Sequence, residues 1–249
     1  MPPRALTALP VYNEFRHVDA VLDQVLLHSR EVMVVDDGST DGTAEHLARR
    51  DDIRLVTHPT NRGYGAALRT AFDYAADEGF DVLVTIDCDG QHEPQRIPRF
   101  VAATEQADIV SGSRYLRRYP HDSRPPEARR RINAIVTDEV NRRLGLRLTD
   151  AFCGFKAYRV EAIQRLNLRN NGYAMPLELW VQAAYHGLRI IELPVPLIYL
   201  EEKRSFGGAL DDAATRLEYY HLVLDASMAA TGVAAGQLWA GTLCGERAG

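Results

Sequence analysis

Short β-rich apolar runs that alternate with segments of helical periodicity constrain this chain more than any other feature. Residues 5–9 read as a strand, and behind them Val18, Val21, Leu22, Val25 and Leu26 fall on one helical face. Val32-Met33-Val34-Val35 is a second strand, followed by a helix to about Arg50. Residues 53–57 form a third, before a helix carrying Ala66, Ala67, Leu68, Ala71 and Phe72. Val82-Leu83-Val84-Thr85-Ile86 is a fourth, a helix follows from about Gln95, and a fifth strand lies at Ile109-Val110-Ser111. Apolar strands separated by helices belong to a parallel sheet covered on both faces. The expectation is an α/β fold, Rossmann-like, with a mostly parallel central sheet flanked by helices. Ligands of such sheets bind outside the carboxyl ends of the strands, so the turns after each strand are where chemistry is to be sought.

From Arg114 the alternation stops. A basic, Pro-containing loop leads into an Arg-rich helix at about residues 128–144. Residues 150–158, a helix near 177–186, strands at 188–193 and 196–200, and a final amphipathic helix from about Asp211 toward Ala230 follow. At 249 residues one domain with elaborations accounts for the length.

The net charge of −5 argues against a general nucleic-acid binder, which needs a basic face to displace counterions. Locally the balance reverses. Arg114, Arg117, Arg118, Arg124, Arg129, Arg130 and Arg131 are opposed only by Asp122 and Glu127, which fits either an anionic partner or a solvated face. Cys88, Cys153 and Cys244 have no metal-ligand spacing and form no disulfide framework, so a reducing, cytoplasmic compartment is expected. No stretch has the composition of a membrane span, so any membrane contact is expected to be peripheral.

Asp87-x-Asp89 follows the fourth strand directly, where two carboxylates one residue apart can meet the same hard cation. Gln91 and His92 add polar groups to that turn. Asp36-Asp37-Gly38-Ser39 is a second acidic cluster on the same rim, suited to ribose hydroxyls or base N–H groups, or simply to capping the next helix. Asn61-x-Gly63-x-Gly65 opens a helix whose first N–H groups favour negative charge.

Pro10-Val11-Tyr12-Asn13-Glu14, Asp36-Asp37-Gly38-Ser39-Thr40-Asp41-Gly42-Thr43, Asn61-Arg62-Gly63-Tyr64-Gly65 and Asp87-Cys88-Asp89-Gly90-Gln91-His92 occur in an order and spacing that resembles the family 2 glycosyltransferases of GT-A fold. The likeness runs over roughly residues 5–207 and is greatest to the dolichol-phosphate mannosyltransferase and polyprenyl-phosphate glycosyltransferase branch. It implies that Pro10, Tyr12, Glu14, Asp37, Gly63 and Asp87 surround a GDP- or UDP-hexose donor, and that Asp87, Asp89 and Gln91 hold Mg2+ or Mn2+ on its diphosphate. Residues 1–112 would then form the nucleotide-sugar half, 113–210 the acceptor side, and 211–249 a helical extension through which two copies could pair.

Gly112-Ser113-Arg114-Tyr115 resembles a family segment whose arginine lies near an acceptor phosphate; one of Arg129, Arg130 and Arg131 would be a second contact. Asp150-Ala151-Phe152-Cys153-Gly154-Phe155-Lys156 and Glu178 also match family positions. If the acceptor is a hydroxyl, Asp150 and then Glu178 are the candidate general bases; a phosphate acceptor needs none. Arg204 and Gly207 fit a family loop whose terminal Glu-Ser-Lys is here Gly208, Ala209 and Leu210. The resemblance therefore implies an inverting hexosyltransferase with a lipid phosphate as candidate acceptor, working in the cytoplasm at the inner membrane face. The rival readings are a nucleotide-sugar-binding or scaffold protein without catalysis, and a sugar-phosphate nucleotidyltransferase.

Overall fold

The computed structural model describes residues 2–200 and 208–232. The first half follows the expected alternation: β1 (Ala5–Val11), α1 (Val18–Leu26), β2 (Val32–Asp36), α2 (Thr43–Leu47), β3 (Arg54–Thr57), α3 (Tyr64–Asp77), β4 (Val82–Thr85), α4 (Ile97–Ala103) and β5 (Ile109–Ser113). Then come α5 (Glu127–Leu144), β6 (Lys156–Arg159), α6 (Val160–Ile163), α7 (Met175–Tyr185), β7 (Ile190–Pro194) and α8 (Ala213–Thr231). The strands form one sheet in the order β3-β2-β1-β4-β6-β5-β7. All its pairings are parallel except the two made by β6.

Side chains alternate across the sheet, as the pleat requires. Leu6, Ala8, Met33, Val35 and Leu83 join one core with α3, α5, α7 and α8. Leu9, Val11, Val32, Val34, Val82 and Val84 join the other, with α1 and α4. Burying each such large side chain contributes about 1.5–3 kcal/mol. In α5 the buried residues Ile132, Asn133, Val136, Thr137, Val140 and Leu144 recur at helical spacing. The exposed arginines are left on its other faces. α8 buries Arg216, Tyr220, Leu224, Ser227 and Met228 and packs against α5 and α7. Its start is capped by Asp212, which accepts from the Thr215 N–H at 2.8 Å.

Two expectations are corrected. Residues 196–200 form no strand: Pro194 and Pro196 cannot donate to a ladder, and Leu197 instead pairs with the loop before α5, its N–H bonding to Asp122 and its carbonyl accepting from Ser123. Conversely, residues 150–158 contribute a strand that no apolar run announces. β6 runs antiparallel between β4 and β5, with Lys156 beside Thr85 and Ser111. Its direction decides the site, because its first residue lies at the carboxyl edge of the parallel strands and the preceding segment, 150–155, is delivered there.

Candidate active site

A cleft of about 940 Å³ opens at the carboxyl edge of the sheet. The end of β1 supplies Pro10 and the turn after it Tyr12 and Glu14, the turn after β2 supplies Asp37, and the N-cap and first residue of α3 supply Gly63 and Tyr64. The turn after β4 supplies Asp87, Asp89 and Gln91. All the donor-side and metal residues expected from the sequence are thus gathered in one cavity, as parallel strand ends dictate.

The Asp87 carboxylate accepts from the Tyr64 hydroxyl at 3.0 Å and lies 3.4 Å from His92 Nε2. Burial opposes its ionisation, but His92, Tyr64 and Lys156 together hold its pKa below the usual carboxylate value. Asp89 shifts the other way, pushed up by burial and by the charge of Asp87. A carboxylate pair with this mutual repulsion is relieved by a cation. Gly154 makes room for the arrangement, since a Cβ there would collide with the Asp87 carboxylate. Among the described residues no three His, Cys, Asp or Glu side chains are gathered into a metal cage. Two carboxylates with the remaining positions left to phosphate oxygens and water suit Mg2+ or Mn2+ rather than a closed structural site.

Asp37 is engaged more deeply than a ligand contact requires. One oxygen meets His58 Nδ1 at 2.6 Å and the Arg62 N–H at 2.9 Å, and the other accepts from the Gly63 N–H at 2.7 Å. It clamps the loop that opens α3. The helix start is not an open anion site either, because the Gly65 and Ala66 N–H groups both donate to the Asn171 carbonyl. Gly63 and Gly65 serve that approach, with Asn171 and Asn170 carbonyls lying where a Cβ would project.

The cleft is further lined by Arg114, Tyr115, Arg129, Asn133, Phe152, Leu197, Tyr199, Leu200, Arg216 and Tyr220. Of the three neighbouring arginines only Arg129 lines the cavity. Arg130 pairs on the surface with Glu127 at 2.9 Å, and Arg131 is exposed. Helical geometry explains the choice, since Arg129 lies three and four residues from the buried Ile132 and Asn133. Arg216 was not singled out in the sequence, Phe152 entered only as part of the 150–156 segment, and Tyr220 reads from the sequence as a packing or partner contact of the last helix rather than as a cleft residue. Arg216 donates to the Leu210 carbonyl at 2.5 Å, and the Phe152 and Tyr220 rings stack at 4.8 Å.

Asp150 and Glu178 lie away from the cavity. Asp150 is fully buried behind Arg114, which grips it through Nε at 2.6 Å and a terminal nitrogen at 2.9 Å, while Asn133 donates at 2.8 Å. Burial opposes its ionisation, but Arg114 and Asn133 hold its pKa below the usual range. Trp180 Nε1 donates to the Ala151 carbonyl beside it, pinning the segment. Glu178 accepts from the N–H groups of Arg169 and Asn170. Arg204 and Gly207 lie outside the described residues.

The family model described as glycosyl transferase family 2 matches residues 7–166. Undecaprenyl-phosphate mannosyltransferase of Micrococcus luteus is 33% identical over 88% of this chain and 94% of its own length. Polyprenol monophosphomannose synthase of Mycolicibacterium smegmatis is 32% identical over 77% of this chain and 76% of its own. Among solved structures, glucosyl-3-phosphoglycerate synthase of Mycobacterium tuberculosis with Mn2+, UDP-glucose and phosphoglyceric acid superposes with TM-score 0.65 at 19% identity, over 93% of this chain and 80% of that one. Mannosyl-3-phosphoglycerate synthase of Rubrobacter xylanophilus superposes with TM-score 0.67 at 15% identity, over 92% and 75%. Such identities carry the fold, which is the GT-A arrangement expected from the motifs.

Proposed function

The chain belongs to glycosyl transferase family 2, and from that premise we propose that it moves a hexose from a GDP- or UDP-sugar to a polyprenyl phosphate. The observation that carries the acceptor is the make-up of the cleft lining beyond the donor and metal residues. Arg114, Arg129 and Arg216 stand there among Phe152, Leu197, Leu200 and Tyr220, a pairing of guanidinium forks with apolar surface that suits a phosphate on a lipid. A phosphate oxygen attacks already ionised and needs no general base. The withdrawn positions of Asp150 and Glu178, both with carboxylates bonded to neighbours, agree with that chemistry. The two relatives named for polyprenyl carriers support it further.

In this reading Pro10, Tyr12 and Glu14 flank the nucleotide, with Asp37 holding the Gly63 loop beside it. Asp87, Asp89 and Gln91 would hold a divalent cation, Mg2+ or Mn2+, whose chemistry there would be to neutralise charge developing on the departing diphosphate. Tyr64 and His92 orient Asp87. Arg114 and Arg129 orient the acceptor phosphate for displacement with inversion at the sugar carbon. Among the described residues no helix is long and apolar enough to cross a membrane. Leu200, which lines the cleft, and Leu116 and Arg117, which follow Tyr115 of that lining in sequence, are exposed and fit peripheral contact with the bilayer that holds the acceptor.

Steady-state kinetics with undecaprenyl phosphate in detergent test the acceptor assignment. Arg129→Ala should raise the acceptor KM about tenfold or more, the value of a charge-assisted phosphate contact. Arg130→Ala, which breaks only a surface ion pair, should change it less than about threefold. Equal effects at the two positions would refute the orientation of α5 toward the acceptor.

A further inference from the structure

Behind Arg114 lies a buried polar chain that ends on Glu192 of β7. Glu192 is 8% exposed. Its carboxylate accepts from the Thr149 N–H at 2.8 and 3.0 Å, from the Thr149 hydroxyl at 2.8 Å, and from the Asp150 N–H at 3.1 Å. The Thr149 hydroxyl is 2.5 Å from Ser113 Oγ, and Ser113 Oγ accepts from the N–H groups of Tyr115 and Leu116 at 3.2 and 3.1 Å.

Only one direction of hydrogen bonding satisfies every group. A hydroxyl has one hydrogen and two lone pairs. Ser113 spends both lone pairs on Tyr115 and Leu116, so its hydrogen must go to Thr149 Oγ1. Thr149 must then donate to Glu192, which must be an acceptor only. A proton on the Glu192 oxygen facing Thr149 removes the acceptor of the Thr149 hydroxyl. Thr149 then either strands its hydrogen or turns it on Ser113, which has no lone pair left, so that one of the two N–H groups behind Arg114 is released.

We propose that ionised Glu192 is a positioning residue for the acceptor site, holding the Arg114–Leu116 turn through Thr149 and Ser113 and the Asp150 clamp through its backbone. The proposal rests on the reading of Arg114 as a phosphate contact. Burial, with the charge of Asp150 adding to it, pushes the Glu192 pKa to about 7 despite its donors. Asp150 is the charged group facing it; Arg114 lies beyond Asp150, and the Arg189–Asp108 pair joins the start of β7 to the start of β5. The raised pKa has a definite sign. Protonation below pH 7 adds stability, and that stability is lost as pH rises through 7.

Glu192→Gln mimics the protonated form, and a reading of the turn that needs no acceptor separates this inference from the acceptor assignment. Hydrogen exchange at the Tyr115 and Leu116 amides should quicken about tenfold or more in the variant, with melting temperature unchanged or raised and nucleotide-sugar binding unchanged. With undecaprenyl phosphate, the acceptor KM should rise about tenfold or more. The wild-type fall in acceptor kcat/KM below about pH 7 should vanish in the variant, and Glu192→Asp should restore part of it. Wild-type exchange at both amides would overturn the proposal, as would a variant that loses stability and donor binding together. Faster exchange without any turnover of undecaprenyl phosphate by the wild-type protein would uphold the relay and reject the acceptor.

Discussion

Asp89→Asn should abolish metal-dependent transfer, lowering kcat by about 10²–10³-fold or more, while leaving the melting temperature close to that of the wild type. On the proposed function the size follows from removing one charged group that would face the leaving diphosphate, the scale of loss seen when a preorganised electrostatic contact is deleted. The fold should tolerate the change. The backbone bond that Asp89 Oδ1 accepts from Gln91 at 3.0 Å can be kept by an asparagine carbonyl. Asp89 is also the carboxylate whose ionisation its surroundings oppose, through burial and the charge of Asp87, so neutralising it removes a repulsion. Unchanged kcat with saturating Mg2+ would remove Asp89 from the mechanism.

Asp150→Ala should behave in the opposite way, as a stability variant first. It strands Arg114, whose side chain is 22% exposed, without the two-pronged partner that compensates its charge. It also deprives Asn133 and the Phe152 N–H of an acceptor. Breaking one side of a buried ion pair costs about 3–5 kcal/mol, which in a protein of this size lowers the melting temperature by about 6–20 °C. The pKa of Asp150 is depressed, so this contribution is fully present above the unfolded aspartate value near 3.9. It is lost as pH falls through the lower, folded value. Thermal melts at neutral pH and at about pH 3 should therefore show the wild type approaching the variant under acid. A variant with full stability but no turnover would instead return Asp150 to the chemistry as a base.

These two aspartates also show how much was legible in the chain. Asp89 could be read because a parallel strand hands its last residues to the ligand edge, and the apolar run of β4 stops just before it. The same logic reached Pro10, Asp37 and Gly63. Asp150 was legible as a residue but not in its direction, since its partner Arg114 lies 36 positions away and only the reversal of β6 brings them together. β6 itself is four residues, Lys156-Ala157-Tyr158-Arg159, with a charged residue at each end, so no run of apolar residues marks it. Its pairing comes from β4 and β5 on either side. The choice among Arg129, Arg130 and Arg131 stayed open in the sequence and is made by the packing of α5, which buries Ile132 and Asn133, and Arg216 and Tyr220 reach the cleft because α8 folds back over α5 and α7, a packing that local pattern does not encode.

What receives the sugar decides the function of this enzyme. Purified protein incubated with GDP-mannose or UDP-glucose, undecaprenyl phosphate and Mg2+ should yield a lipid whose mass exceeds that of undecaprenyl phosphate by one hexose, and none when the metal is chelated. A product formed on an alcohol lipid but not on its phosphate, or formed equally well in the presence of chelator, would contradict it.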